Sequence, residues 1–436
     1  MKISGGLGLG DAYGATIERI EAQGGDKSRL GMEALMWISH VERPLMADEL
    51  CHALAVEIDS KDFNGDNVPS ISTLISCCQG LITMDKEASA VRLIHFTLQE
   101  YFSARPDIFS RPHSAMADVC LTYLNSEQVK AISADPSANA LHTPFLEYCS
   151  VYWGVHAKRD LSDYGRSLAL ELFEKYDRHI SIEFLLEQVE HLDLGDFGTS
   201  FPFSGLHCAS FFGIIEVIVT LINMGCYDIN EEDFLGYTPL AWAAHSGHEE
   251  VVKMLLTWEE VNPNKPNDCG QMPLSHAAWN GHEAVVRALL EREEVNPDGL
   301  DHYGQTPLSY AAQNGHETVV EILIGRKEVN PDRADNDGQT PLSYAAWNGH
   351  EGVVKILLAR EEVHPDKLDN YGQTPLSYAV RAGHEEVVKI LLLRTEVNPH
   401  KPDHNGQTPL MLATMYGNKR VVELLDPPEA AIHNAV

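Results

Sequence analysis

The chain has 436 residues, 44% of them hydrophobic and 22% charged, enough for two or three globular domains. Its formal net charge of −32 is spread over both halves, which argues against a broad nucleic-acid footprint and against electrostatic binding to anionic membranes. No run approaches the ~20 apolar residues of a membrane span; the nearest, Gly213 to Gly225, is interrupted by Glu216.

Residues 1–28 are glycine-rich, with one amphipathic piece from Ala12 to Ala22, and read as a frayed leading segment. The run Gly5 to Gly14 is not a phosphate loop, because no G-x-x-x-x-G-K-[ST] occurs and the G-x-G-x-x-G spacing does not fit. No apolar core of a secretory leader is present at the N-terminus. Eight cysteines occur, none as Cys-x-x-Cys and several in apolar helical contexts. Reduced core thiols in a cytoplasmic, or else nuclear, protein are expected.

Residues 29–104 read as helix, helix, helix, hairpin. Helices are expected over Leu30–Val41, Ala47–Val56 and Ser70–Cys78, then strands at Leu81–Met84 and Val91–His95 around the charged turn Asp85–Glu87. That order is a winged helix. Its third helix, which would enter a major groove, carries no Lys or Arg, so DNA readout is not expected. Residues 105–198 read as a helical linker or capping region, with helices over Ser114–Leu124, Pro144–Lys158, Leu161–Tyr176 and Ile180–His191. Phe145, Tyr148, Tyr152 and Trp153 there suit packing between helices. Terminal units of a stack need covering, and this region is placed to cover the first repeat of the part that follows.

Residues 199–426 are a tandem repeat, and 427–436 a flexible tail. The leucine of a Pro-Leu pair recurs at 240, 274, 308, 342, 376 and 410, a fixed step of 34, with a degenerate seventh copy at Leu206. In one unit Thr306 is placed to cap a helix that Pro307 begins. Gly315 ends that helix, and His316-Glu317 opens a second with Val319, Val320, Ile322 and Leu323 at helical spacing. Val329-Asn330-Pro331-Asp332 is a turn. One such helix pair cannot bury its apolar faces alone, whereas several stacked pairs share one core. The fold class is therefore mainly α, a winged helix and helical linker followed by a repeat solenoid.

The sequence carries no catalytic or metal-binding motif. His-Glu recurs at 248, 282, 316, 350 and 384, but the residue four after each histidine is valine, so the second ligand of a zinc-protease helix is absent. These histidines are expected to bond backbone at the inter-helix turn, and Asp301, Asp335, Asp369 and Asp403 to shape turns. No G-x-S-x-G elbow occurs. An enzyme is not expected, nor a cofactor.

The stretch GQTPLSYAAQNGHETVVEILI from Gly304 resembles the ankyrin repeat. Two departures stand out. The histidine that the family carries after Pro-Leu is Ser309, Ser343 and Ser377 here, and the loop Lys327–Asp332 lacks the usual glycine and runs one residue longer. Altered hairpin tips are expected, not a different fold. The first part resembles a second family. Met36-Trp37, Arg43-Pro44-Leu45, Glu49-Leu50-Cys51 and Arg92 to Phe102 look like the winged-helix segment of fungal NACHT-type signalling ATPases. That resemblance implies a phosphate-sensing role for His95 when a nucleotide-binding domain is supplied, and a bonded strand residue otherwise. It also implies that the chain is the C-terminal part of such an architecture.

The ankyrin resemblance implies protein binding by residues at the hairpin tips and on the first helix. Comparison of the copies picks out two series. One comprises His245, Trp279, Gln313, Trp347 and Arg381, followed one residue on by Asn280, Asn314 and Asn348; the other contains Tyr303 and Tyr371. The expectation is a non-enzymatic scaffold that binds a protein partner, with no nucleic acid and no membrane. The alternative is the sensor half of a NACHT-type ATPase.

Overall fold

The computed structural model describes residues 9–58, 60, 62–85, 87–134, 143–188 and 202–426. The expected tail 427–436, residues 1–8 and the end of the helix expected to reach His191 lie outside these. The chain divides into two compact units. The first runs to Gly205 and includes Glu216–Met224; the second comprises Leu206–Ile215 and the residues from Gly225.

The first unit opens with α1 (Leu9–Glu21) and α2 (Gly25–His40). Over the described residues 9–28 the segment is not frayed, and the amphipathic piece expected over Ala12–Ala22 falls almost wholly in α1. Tyr13, Ile17 and Ile20 fall on one face of α1 and are buried, the Tyr13 hydroxyl bonds Thr97 Oγ1 at 2.7 Å, and Gln23 Nε2 donates to the Cys77 carbonyl at 2.8 Å. The helix is held because this face has a partner. A Cβ on Gly31 of α2 would stand 2.7 Å from Ile20 and 3.0 Å from the Cys77 carbonyl, so only glycine permits the close approach.

The winged helix follows as α3 (Ala47–Ala53), α4 (Ile71–Cys77), β1 (Ile82–Met84) and β2 (Val91–Leu93). The helix expected to reach Val56 stops at Ala53. Ser70 caps α4 by accepting from Thr73 N. The strands pair antiparallel, Ile82 with Leu93 and Met84 with Val91. Asp85 Oδ1 takes the amides of Glu87 and Ala88 and turns the hairpin. Beyond it lie α5 (Phe96–Ala104), α6 (Pro112–Leu124), α7 (Glu127–Ala134), α8 (Leu146–Arg159), α9 (Asp163–Phe173) and α10 (Ser181–Leu186). A 3-10 turn at Tyr176–Arg178 occupies the end of what was expected as one helix to Tyr176. These helices share a core with the winged helix. Trp37 is buried edge-on against Phe145 and Tyr148, ring centres 5.5 and 6.0 Å away, and Phe145, Tyr148 and Trp153 are fully buried.

The repeats begin with α11 (Gly205–Phe212) and α12 (Ile215–Met224). Six pairs follow: α13 (Pro239–His245) and α14 (Glu249–Leu255), α15 (Pro273–Trp279) and α16 (Glu283–Leu290), α17 (Pro307–Gln313) and α18 (Glu317–Ile324). They continue as α19 (Pro341–Asn348) and α20 (Glu351–Leu358), α21 (Pro375–Ala382) and α22 (Glu385–Leu392), α23 (Pro409–Met415) and α24 (Lys419–Leu425). From α13 to α24, first helices stack on first helices and second on second, giving two layers. Thr238, Thr306, Thr340, Thr374 and Thr408 cap the first helices as expected; Met272 replaces the threonine once and caps nothing. The recurring leucines and the valine pairs form the core, with Leu308, Leu342, Val320 and Val354 fully buried.

Candidate functional site

Each repeat is tied to the one before it by side chains that recur with it. The Nε2–H groups of His282, His316, His350 and His384 donate to the carbonyls of His245, Trp279, Gln313 and Trp347 at 2.8–2.9 Å. The histidines thus bond backbone, as expected, but across repeats and not within their own turn. Gly315 at φ 77° would drive a Cβ to 2.5 Å from His350 Nδ1, so glycine makes room for the next repeat's ring. The loops form a second ladder: the amides of His302, Asn336, Asn370 and His404 donate to the carbonyls of Cys269, Tyr303, Asp337 and Tyr371 at 2.9–3.0 Å.

Within a repeat, loop and first helix are latched by a pair that the sequence reading missed. Asp301 Oδ1 takes the amides of Tyr303 and Gln305, while Oδ2 accepts the Tyr310 hydroxyl. Asp335–Tyr344 and Asp369–Tyr378 repeat the latch at 2.5 Å. Asp233 with the Trp242 indole N–H, at 2.8 Å, is a variant of it. The Tyr310 and Tyr344 hydroxyls also accept from Gln271 and Gln305 of the preceding repeat at 2.7 and 2.5 Å. In the last repeat Leu412 stands where the tyrosine would be, and Asp403 Oδ2 has no partner among the described residues. A fixed spacing of nine, acid then hydroxyl or indole, was the available signal. The serines that replace the family's histidine pair with their own caps, Ser309, Ser343 and Ser377 each 3.1 Å from the threonine hydroxyl.

The candidate binding residues fall on this frame in two groups. Trp347 is exposed at 38%, with its ring edge-on to Tyr378 of the next repeat at 5.3 Å. The Arg381 guanidinium lies 5.2 Å from the Trp347 ring and 5.3 Å from that of Tyr416. Trp347, Arg381 and Tyr416 therefore form one aromatic–cation stack. Trp279 repeats the edge contact on Tyr310 at 5.3 Å but is only half-buried, not exposed. His245 is also half-buried, edge-on to Trp242 and His276, and burial pushes it down to about 4, so it is neutral at physiological pH. Gln313 is half-buried.

Asn280, Asn314 and Asn348 donate to the carbonyls of His276, Tyr310 and Tyr344, four residues back, at 3.1–3.2 Å. Part of their recurrence is helix termination. Tyr303 and Tyr371 are 63% and 56% exposed at the loop tips, and Leu300 and Leu368 beside them are exposed too. The leucines were not picked out, although they recur in the same two repeats as the tyrosines. Met411, Met415 and Tyr416 extend the exposed apolar surface in the last pair.

His95 caps α5, its Nδ1 accepting from Thr97 N at 3.3 Å, and its ring is exposed beside Phe96. Ile38, Arg43, Arg92, His95, Phe96 and Gln99 help line a shallow cleft of about 350 Å³. No helix among the described residues is long and apolar enough to cross a membrane.

Residues 19–109 match the family model described as the GPI inositol-deacylase winged helix domain. No curated protein matches the chain. Six overlapping matches to the model described as ankyrin repeats (3 copies) run from residue 176 to residue 434, and with the stacked pairs and the 34-residue step they place this chain in the ankyrin-repeat family.

Proposed function

We propose that the chain is a non-enzymatic cytoplasmic scaffold whose repeat unit binds a protein partner. Contacts come from Trp347, Arg381 and their neighbours Trp279, Gln313 and His245, with Asn280, Asn314, Asn348 and the tip residues Tyr303 and Tyr371 around them. The observation that carries this reading is the Trp347–Arg381–Tyr416 stack. It leaves an indole and a phenol partly in water although the repeat core beneath is complete. Aromatic and arginine side chains held rigid at a surface are the types that dominate protein interfaces, and a pre-ordered stack loses little entropy on binding. A photoreactive side chain installed at Tyr371 should cross-link the partner, and one installed at Lys355 on α20 should not. Equal capture at both positions would overturn the assignment of the face.

A second reading is that the first unit is the regulatory segment of a NACHT-type signalling ATPase. Its support is the exposure of Ile94 at 55% and Phe96 at 68% beside His95, an apolar patch suited to a covering domain. Transcripts extending upstream of Met1 that encode a P-loop domain, with ADP protecting His95 from modification in the longer product, would favour it. Transcripts that encode no such domain would remove it.

A further inference from the structure

Three side chains remote in sequence converge in the first unit. Glu42 follows α2, His113 lies in the first turn of α6, and His156 in the last turn of α8. One donor atom of each lies within 4.8 Å of the others. The Nδ1 atoms of His113 and His156 are 2.9 Å apart, so one carries a proton that the other accepts. His156 is fully buried, and its far nitrogen, Nε2, meets the Tyr148 hydroxyl at 2.9 Å. Such an outer contact fixes the ring of a metal-bound histidine. The Tyr148 oxygen also accepts from the Glu42 amide at 3.4 Å, so one phenol orients two of the three groups. Arg159 holds the Glu42 carboxylate at the rim by contacts to both oxygens.

We propose that Glu42, His113 and His156 bind a single divalent ion of the zinc class, with solvent as the fourth ligand. Two imidazole nitrogens and one carboxylate oxygen are a donor set that zinc takes; calcium and magnesium require mainly oxygen. Zn–N bonds of about 2.0–2.1 Å at a tetrahedral angle put two nitrogens about 3.3 Å apart. The rings need separate by only a few tenths of an ångström. The proton shared between the two Nδ1 atoms leaves to solvent as the ion arrives. Arg159 is the competitor, because the ion takes a Glu42 oxygen from it. The bound ion staples the segment after α2 to α6 and α8.

The test uses the full chain, stripped with a chelator and titrated with zinc chloride by calorimetry and with cobalt(II) by visible absorption. One saturable equivalent is expected, with ligand-field bands and no thiolate charge-transfer band, which separates this site from the exposed Cys226 and Cys269. His113→Gln should abolish that equivalent and its thermal stabilisation. Tyr148→Phe, which keeps the buried ring, should weaken binding about 10- to 100-fold, and Arg159→Gln should tighten it. Should His113→Gln not fold, Glu42→Gln, altered at the rim, gives the same reading. Absence of a saturable equivalent in the wild type, or one that survives both His113→Gln and Glu42→Gln, overturns the proposal.

Discussion

Tyr310→Phe removes one oxygen from the middle of the repeat array and nothing else. That oxygen donates to Asp301 Oδ2 and accepts from Gln271 Nε2. Asp301 is only 7% exposed, so water cannot replace the lost donor without rearrangement of the loop. A hydrogen bond to a charged group contributes about 1.5–3 kcal/mol, and stranding a buried partner costs in the same range. A loss of about 2–3 kcal/mol is therefore expected. Because a repeat array can open in part, urea denaturation should be read beside hydrogen exchange at the Tyr303 and Gln305 amides, which Asp301 Oδ1 holds. Asp301→Asn and the double variant complete a cycle whose coupling should exceed about 1 kcal/mol. A loss below about 0.5 kcal/mol, with additive single effects, would refute the latch as a stabilising element.

Other consequences follow from the same frame. His316→Ala deletes the inter-repeat bond to the Trp279 carbonyl at 2.8 Å and should cost about 1–1.5 kcal/mol in chemical denaturation. Burial pushes His207 down to about 4 and His276 down to about 3, below the 6.5 of an unfolded chain. The unfolded state then binds more protons as pH falls below about 6.5, so stability is full above that pH and declines through the window toward 4 and 3. Each of the two should cost roughly 2 kcal/mol by pH 5. His276→Tyr, the residue type at this place in the next three repeats, should flatten the decline seen in melting curves at pH 7 and pH 5.

How much was legible in the sequence depended on whether a feature repeated. Pro307 and Gly315 announce their roles because six copies hold them in phase, Thr306 and His316 because five do, and the two-layer stack follows from that phase. The histidines bond backbone as expected, but which carbonyl they reach was not legible, since a bond to the preceding repeat is invisible in one unit. The leading helix α1 was underestimated because Tyr13, Ile17 and Ile20 make a weak stripe among glycines, and its partners, Thr97 and Tyr101 on α5 and Gln79 after α4, lie far along the chain. In α7 the only buried apolar residues are Val129 and Ile132, too few to signal a helix. Glu42, His113 and His156 were illegible for a different reason, being brought together only by the packing of α2, α6 and α8. Among the binding residues, internal comparison found the right phase but not the degree of cover. Tyr310 and Tyr378 lie against the two tryptophans from the following repeat, a contact that no single unit contains.

The central claim is that the Trp347–Arg381 stack is a binding surface and not a packing device. Trp347→Ala, measured in full-length protein by partner affinity and by chemical denaturation together, tests it most directly. Trp347 is partly exposed and contacts Tyr378 only at its edge. Truncation should therefore cost about 1–2 kcal/mol of stability, less than the 3–5 kcal/mol of a fully buried aromatic. Partner affinity should fall by about 2 kcal/mol or more, near thirtyfold in dissociation constant, while Lys355→Ala on α20 leaves it unchanged. A stability loss of 3–5 kcal/mol with unaltered affinity of the folded protein would contradict the account.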